Sequence, residues 1–100
     1  MKEISATELK QLIDNKADFQ LIDVREEHEF DEMNMNGTLI PMGEVMDRAA
    51  EIPKDKQVVI HCRSGKRSAT VIGALESQLG YTNLYNLKGG ILAYADEVGL

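Results

Sequence analysis

The segment Cys62-Arg63-Ser64-Gly65-Lys66-Arg67-Ser68 sets the chain's one cysteine beside three cations and a glycine. A cysteine does nucleophilic work as thiolate, so its surroundings decide its use. Cys62 follows the apolar run Val58-Val59-Ile60 and precedes a helix-like pattern from Ala69 to Leu79. Where a strand ends and a helix begins, the first helical N–H groups lack partners, and the helix dipole favours an anion. Arg63, Lys66 and Arg67 add positive charge. Together these effects predict an acidic, nucleophilic thiol. Gly65 frees the backbone to turn successive N–H groups inward as a nest. The plain alternative is a buried cysteine acting as a small hydrophobe. An apolar filler has no need of three neighbouring cations and a glycine, which favours the reactive reading.

The other residues of the loop divide by position. Arg63 and Lys66, at its middle, are expected to face substrate. Arg67 either binds an anionic donor or braces the loop through Asp23, and both readings stand at this point. Ser64 is either a hydrogen-bond partner of the sulfur or a plain turn residue. His61 precedes the nucleophile on the strand, so its ring is expected on the opposite face, as a structural histidine. One cysteine and two scattered histidines do not predict a metal site.

Short β-branched runs alternate with helical patterns, which predicts an α/β fold. Lys2 to Ile4 reads as a first strand. Ser5 and Glu8 form a capping box, with Ile4 and Leu9 positioned to staple the entry of a helix that carries Leu9, Leu12 and Ile13 on one face and closes at Asn15 to Asp18. Phe19 to Val24 reads as a buried strand, followed by a short helix from Arg25 to Phe30. Met33 to Gly37 is irregular, and Thr38 to Ile40 is a short strand stopped by Pro41. Gly43 to Ile52 predicts a helix, with Val45, Met46 and Ala49 at helical spacing. Gln57 to His61 is a strand, Ser68 to Leu79 a helix capped by Gly80, Asn83 to Leu87 a last strand, and Ile91 to Val98 a final helix. Met33, Met35, Met42 and Met46 are expected to fill gaps in the core and its edge, the rival being an apolar rim for a partner.

One hundred residues suit a single domain, 1–100. The net charge of −6 argues against nucleic acid as a partner. No apolar run approaches the roughly 20 residues that cross a bilayer, and Met1 to Ser5 carries no secretory leader, so a cytoplasmic protein without a membrane partner is expected. A lone cysteine suits a reducing compartment.

Loop length separates two chemistries. Cysteine phosphatases wrap a phosphoryl group with Cys-x5-Arg. Here the arginine after Cys62 is Arg67, giving Cys-x4-Arg, with Ser68 at the phosphatase position. The shorter loop makes a smaller bowl, suited to one sulfur atom. A phosphatase or arsenate reductase of related fold remains the second reading, and a non-catalytic binding module the third.

With these residues, the chain resembles the rhodanese-like sulfurtransferases. The likeness runs through Glu3-Ile4-Ser5, Leu21-Ile22-Asp23-Val24-Arg25-Glu26 with Glu29-Phe30, the Cys62 to Ser68 loop, and Leu87-Lys88-Gly89-Gly90-Ile91. Asn86 to Val98 looks most like rhodanese domains fused to enzymes that adenylylate sulfur carriers. The resemblance implies a five-stranded parallel sheet with helices on both faces. It implies a Cys62 persulfide steadied by loop N–H groups from Arg63 to Arg67, formed from a donor such as thiosulfate or a low-molecular-weight persulfide and discharged to a thiophilic acceptor, a protein sulfur acceptor or carrier among them. It implies no cofactor. Asp23 and Arg25 are expected close behind the loop, Asp23 accepting from a loop arginine or N–H, and Gly89-Gly90 turning tightly beside it. Met33-Asn34-Met35-Asn36-Gly37-Thr38 departs from the family's Gly-His-Ile-x-Gly-Ala, so the pocket rim is expected to differ there.

Overall fold

The computed structural model describes residues 1–100. Five parallel strands form one sheet: β1 (Lys2–Ile4), β2 (Phe19–Asp23), β3 (Thr38–Leu39), β4 (Gln57–His61) and β5 (Leu84–Leu87), in the order β1-β5-β4-β2-β3. The helices are α1 (Ala6–Asp14), α2 (Glu27–Glu32), α3 (Lys66–Leu79) and α4 (Gly90–Glu97).

Alternation along β4 builds both cores. Val58 and Ile60 join Val71, Ile72 and Leu75 of α3 on one face. Val59 faces the other way and joins Leu9 of α1 with Ile91 and Tyr94 of α4. A strand buried on both faces reads as a near-continuous apolar run, which is why Val58-Val59-Ile60 does not alternate with polar residues. The Ser5–Glu8 capping box forms as the sequence predicts, and both stapling residues, Ile4 and Leu9, are buried. After β2 the chain moves outward to β3; after β4 it moves the opposite way to β5. The carboxyl ends of β2 and β4 therefore flank a topological switch point, the place where open α/β sheets hold their sites.

Several boundaries differ from expectation. The helix expected over 43–52 is two 3-10 turns, Met42–Glu44 and Ala49–Glu51. Pro53 supplies no N–H for the Ala49 carbonyl and drives Ile52 to extended geometry (φ −100°, ψ 112°). The Tyr81 hydroxyl lies 2.8 Å from both the Ala49 and Ile52 carbonyls and caps the broken segment instead. Helix α3 starts at Lys66, so Ser68 belongs to its first turn rather than to the loop before it. The last strand starts at Leu84, one residue late. Of the clustered methionines, Met35 is buried, while Met42 and Met46 are exposed.

Candidate active site

The site begins with the turn from β4 into α3. Gly65 is the N-cap of α3 with φ 103°, a left-handed conformation that suits glycine. This turn folds the helix N-terminus back over Cys62. The Gly65 N–H donates to Cys62 Sγ at 3.1 Å, and the Ser68 N–H does so at 3.4 Å. The Ser68 Oγ stands 3.4 Å from the sulfur and donates to Asn86 Oδ1 at 2.6 Å. Asn86, on β5, also donates to the Gly65 carbonyl at 3.1 Å.

Helix α4 fixes the outside of the loop. The Ile91 N–H donates to the Cys62 carbonyl at 2.9 Å, and the Leu92 N–H to the Arg63 carbonyl at 3.2 Å. A trans peptide sets its N–H opposite its C=O. With the Arg63 carbonyl turned toward α4, the following N–H of Ser64 turns inward to the sulfur. Gly90 permits this close docking: a side chain there would collide with the Arg63 carbonyl, and its φ is +63°. The tight glycine turn expected beside the loop is this contact.

Burial is the largest influence on the Cys62 thiol and pushes its pKa up. The Ser68 hydroxyl and the N–H groups of Ser68, Gly65 and Ser64 outweigh it, so the thiol ends below its ordinary value. The acidity thus comes from hydrogen bonds more than from the cations that suggested it. Arg63 and Lys66 are exposed. Ser64 contributes its backbone; the serine side chain at the sulfur is that of Ser68.

Arg67 is not braced by Asp23. Its guanidinium makes a bidentate pair with Glu29 of α2, at 2.8 and 2.9 Å. The Arg67 bonds are the chief reason the Glu29 carboxyl falls to about 2. Glu29 also accepts the Glu26 N–H at 3.0 Å, which closes the first turn of α2. The pair thus ties α2 to the first turn of α3.

Asp23 likewise accepts from no loop arginine. Its carboxylate takes the Arg25 N–H, Nε and Nη2, with the Nη2 contact at 2.8 Å. Both side chains are buried. Arg25 continues to the Met33 carbonyl at 2.7 Å and so holds the atypical segment after α2. Within that segment Asn34 Oδ1 accepts the Asn36 N–H at 2.8 Å, and Asn36 takes φ 60°. Asp23 pairs in register with His61 across β2 and β4. The His61 Nε2 lies 3.6 Å from Asp23 Oδ2, while its Nδ1 lies 3.3 Å from the Cys62 carbonyl. Burial lowers the His61 pKa, so the ring stays neutral and braces the loop from behind. No three His, Cys, Asp or Glu side chains converge as metal ligands. No helix is long and apolar enough to cross a membrane.

A family model described as a rhodanese-like domain matches residues 5–97. The chain belongs to the rhodanese-like domain family. A sulfurtransferase of Allochromatium vinosum is 40% identical over 96 residues, covering 95% of this chain and 89% of its own. The probable adenylyltransferase/sulfurtransferase MoeZ of Mycobacterium tuberculosis is 33% identical over 98 residues, which make up 95% of this chain and 25% of MoeZ. The solved rhodanese-like domain protein of Staphylococcus aureus matches with a TM-score of 0.87 at 34% identity, covering 98% of this chain and 95% of that one.

Within this rhodanese-like domain, sequence reasoning passed over two residues of the site. Glu29 was visible only as part of a family motif, without a role. Asn86 was legible in principle, as a polar residue in the middle of a buried strand that must find partners.

Proposed function

We propose that this rhodanese-like domain is a sulfurtransferase working through a Cys62 persulfide. The observation that carries the reading is the aim of the Gly65 and Ser68 N–H groups at a buried Sγ. Donors fixed in this way stabilise negative charge on sulfur, first as thiolate and then as the terminal persulfide sulfur. The relatives named sulfurtransferases support the same reaction class.

The Cys62 thiolate attacks the outer sulfur of thiosulfate or of a small persulfide. The donor's sulfur–sulfur bond breaks, and sulfite or a thiolate leaves with the electron pair. An acceptor nucleophile then attacks the outer sulfur of the Cys62 persulfide, and Cys62 departs as thiolate. Electrons balance within the two displacements, and no metal or organic cofactor takes part. A thiol or a protein sulfur carrier serves as acceptor; the MoeZ relative supports the latter. The Glu29 pair tells against the phosphatase alternative, because Arg67 is engaged where an oxyanion would need it.

The test is an intact mass after incubation with thiosulfate or a low-molecular-weight persulfide. A gain of one sulfur that maps to Cys62 and is removed by cyanide or thiol is expected. Absence of that gain, or its survival in Cys62→Ser, overturns the reading.

A further inference from the structure

Away from the cysteine loop, a cleft of about 410 Å³ lies between the end of α1, the start of β2 and the segment 35–38. Its volume is within the roughly 300–1,000 Å³ of clefts that hold small ligands. Leu12, Phe19, Leu21 and Met35 give it an apolar floor, and all four belong to the core shared by α1 and α4. Cys62 belongs to the other core, and no residue of its loop lines the cleft.

Two observations mark this cleft as built. Lys16 (φ 50°) and Asn36 (φ 60°) are the chain's only residues other than glycine in the left-handed region, and both line it, one from each wall. Asparagine tolerates that conformation, but lysine does not favour it, and glycine is the usual residue just past a helix end. Strain of this kind gathers at sites that hold ligands. The second observation is the atypical segment Met33 to Thr38. Four of its six residues, Met35 to Thr38, wall this cleft. Gly37 lets that wall sit close, because a Cβ there would stand 3.1 Å from the Leu21 carbonyl oxygen.

Lys16 is the one charged residue in the lining. It is exposed and takes part in none of the chain's ion pairs. The acidic groups nearest it in the chain are already engaged, Asp14 by Lys10 and Asp18 by Lys56. At the end of α1 the Gln11, Leu12 and Ile13 carbonyls accept the N–H groups of Asn15, Ala17 and Lys16, which leaves less bare negative charge to repel an anion. Gln20 Nε2 donates to Thr38 Oγ1 at 2.8 Å, so these two polar side chains satisfy each other. An apolar floor beside one free cation fits an anion with an apolar tail.

We infer that this cleft binds a small aliphatic carboxylate, its chain against Leu12, Phe19, Leu21 and Met35 and its carboxylate on Lys16. The inference is independent of the reading of Cys62, whose persulfide loading is measured separately by mass.

The test is an NMR titration of the whole chain with hexanoate, following the amide signals of Lys16, Ala17 and Gly37. Saturable shifts are expected. Acetate, which lacks the tail, should bind more than about tenfold more weakly. Hexylamine has the same tail and the opposite charge. It should bind about three- to tenfold more weakly, although the net charge of −6 favours a cation. Lys16→Gln should erase the preference for hexanoate over hexylamine, and Lys16→Arg should keep it. Ile13, at the edge of the floor, is exposed, and Ile13→Ser should weaken both six-carbon ligands alike. Amide signals far from the cleft report that each variant is folded. No saturation with hexanoate, equal or tighter binding of acetate or hexylamine, a preference that survives Lys16→Gln, or undiminished binding in Ile13→Ser overturns the inference.

Discussion

Replacing Glu29 with glutamine removes the anion that holds Arg67. Glu29 falls from an ordinary 4.5 to about 2, and each pKa unit is worth ~1.36 kcal/mol, so full coupling amounts to about 3 kcal/mol. The Arg67 side chain is 35% exposed, and solvent screening reduces the contribution to about 1–2 kcal/mol. A carboxylate depressed by folding stabilises the protein above its unfolded pKa and loses that effect as pH falls through its folded pKa. The stabilisation by Glu29 is therefore fully present above pH 4.5 and gone once the pH has fallen through about 2. Urea unfolding of the wild type and Glu29→Gln across an acid series measures it. The gap between them should be about 1–2 kcal/mol near neutrality and close steadily below pH 4.5. A gap that stays constant into acid, or no gap near neutrality, refutes the assignment of the ion pair as the bond between α2 and the cysteine loop.

Ser68→Ala keeps the backbone N–H at the sulfur and removes the hydroxyl, so the midpoint of Cys62 alkylation against pH should move upward; a downward move contradicts the assigned role. Gly90→Ala forces a side chain against the Arg63 carbonyl at φ +63° and should cost about 2–4 kcal/mol in urea unfolding. Asp23→Ala leaves Arg25 buried without its carboxylate, and a loss of about 3–5 kcal/mol is expected by the same measurement. A loss below about 1 kcal/mol would mean that water or the Met33 carbonyl suffices for Arg25.

What the sequence made legible was local. The strand Gln57–His61 is a β-branched run with no competing pattern, and the first helix carries a complete capping box. Cys62 could be located because the strand signal stops and the helix signal starts around it. What stayed hidden depends on contacts between segments far apart in the chain. Arg67 and Glu29 are 38 positions apart, and nothing local distinguishes Glu29 from its acidic neighbours as the partner. Asp23 looked equally able to reach the loop; instead the chain turns immediately after β2 and returns Arg25 onto it. The segment 43–52 misled for a different reason. Its apolar spacing is helical, but Pro53 withdraws a needed N–H and a distant tyrosine takes over the cap.

The Ser68 hydroxyl owns a single proton, yet it stands between Asn86 Oδ1 at 2.6 Å and Cys62 Sγ at 3.4 Å. While the sulfur is a thiol, the Ser68 hydroxyl donates that proton to Asn86 Oδ1, and its oxygen can receive the S–H. If the hydroxyl turned to a thiolate, Asn86 Oδ1 would lose its donor. The Ser68 hydroxyl thus links the sulfur to a side-chain amide on β5. An NMR signal at Asn86 that moves as Cys62 titrates would reveal this exchange without any probe attached to the sulfur.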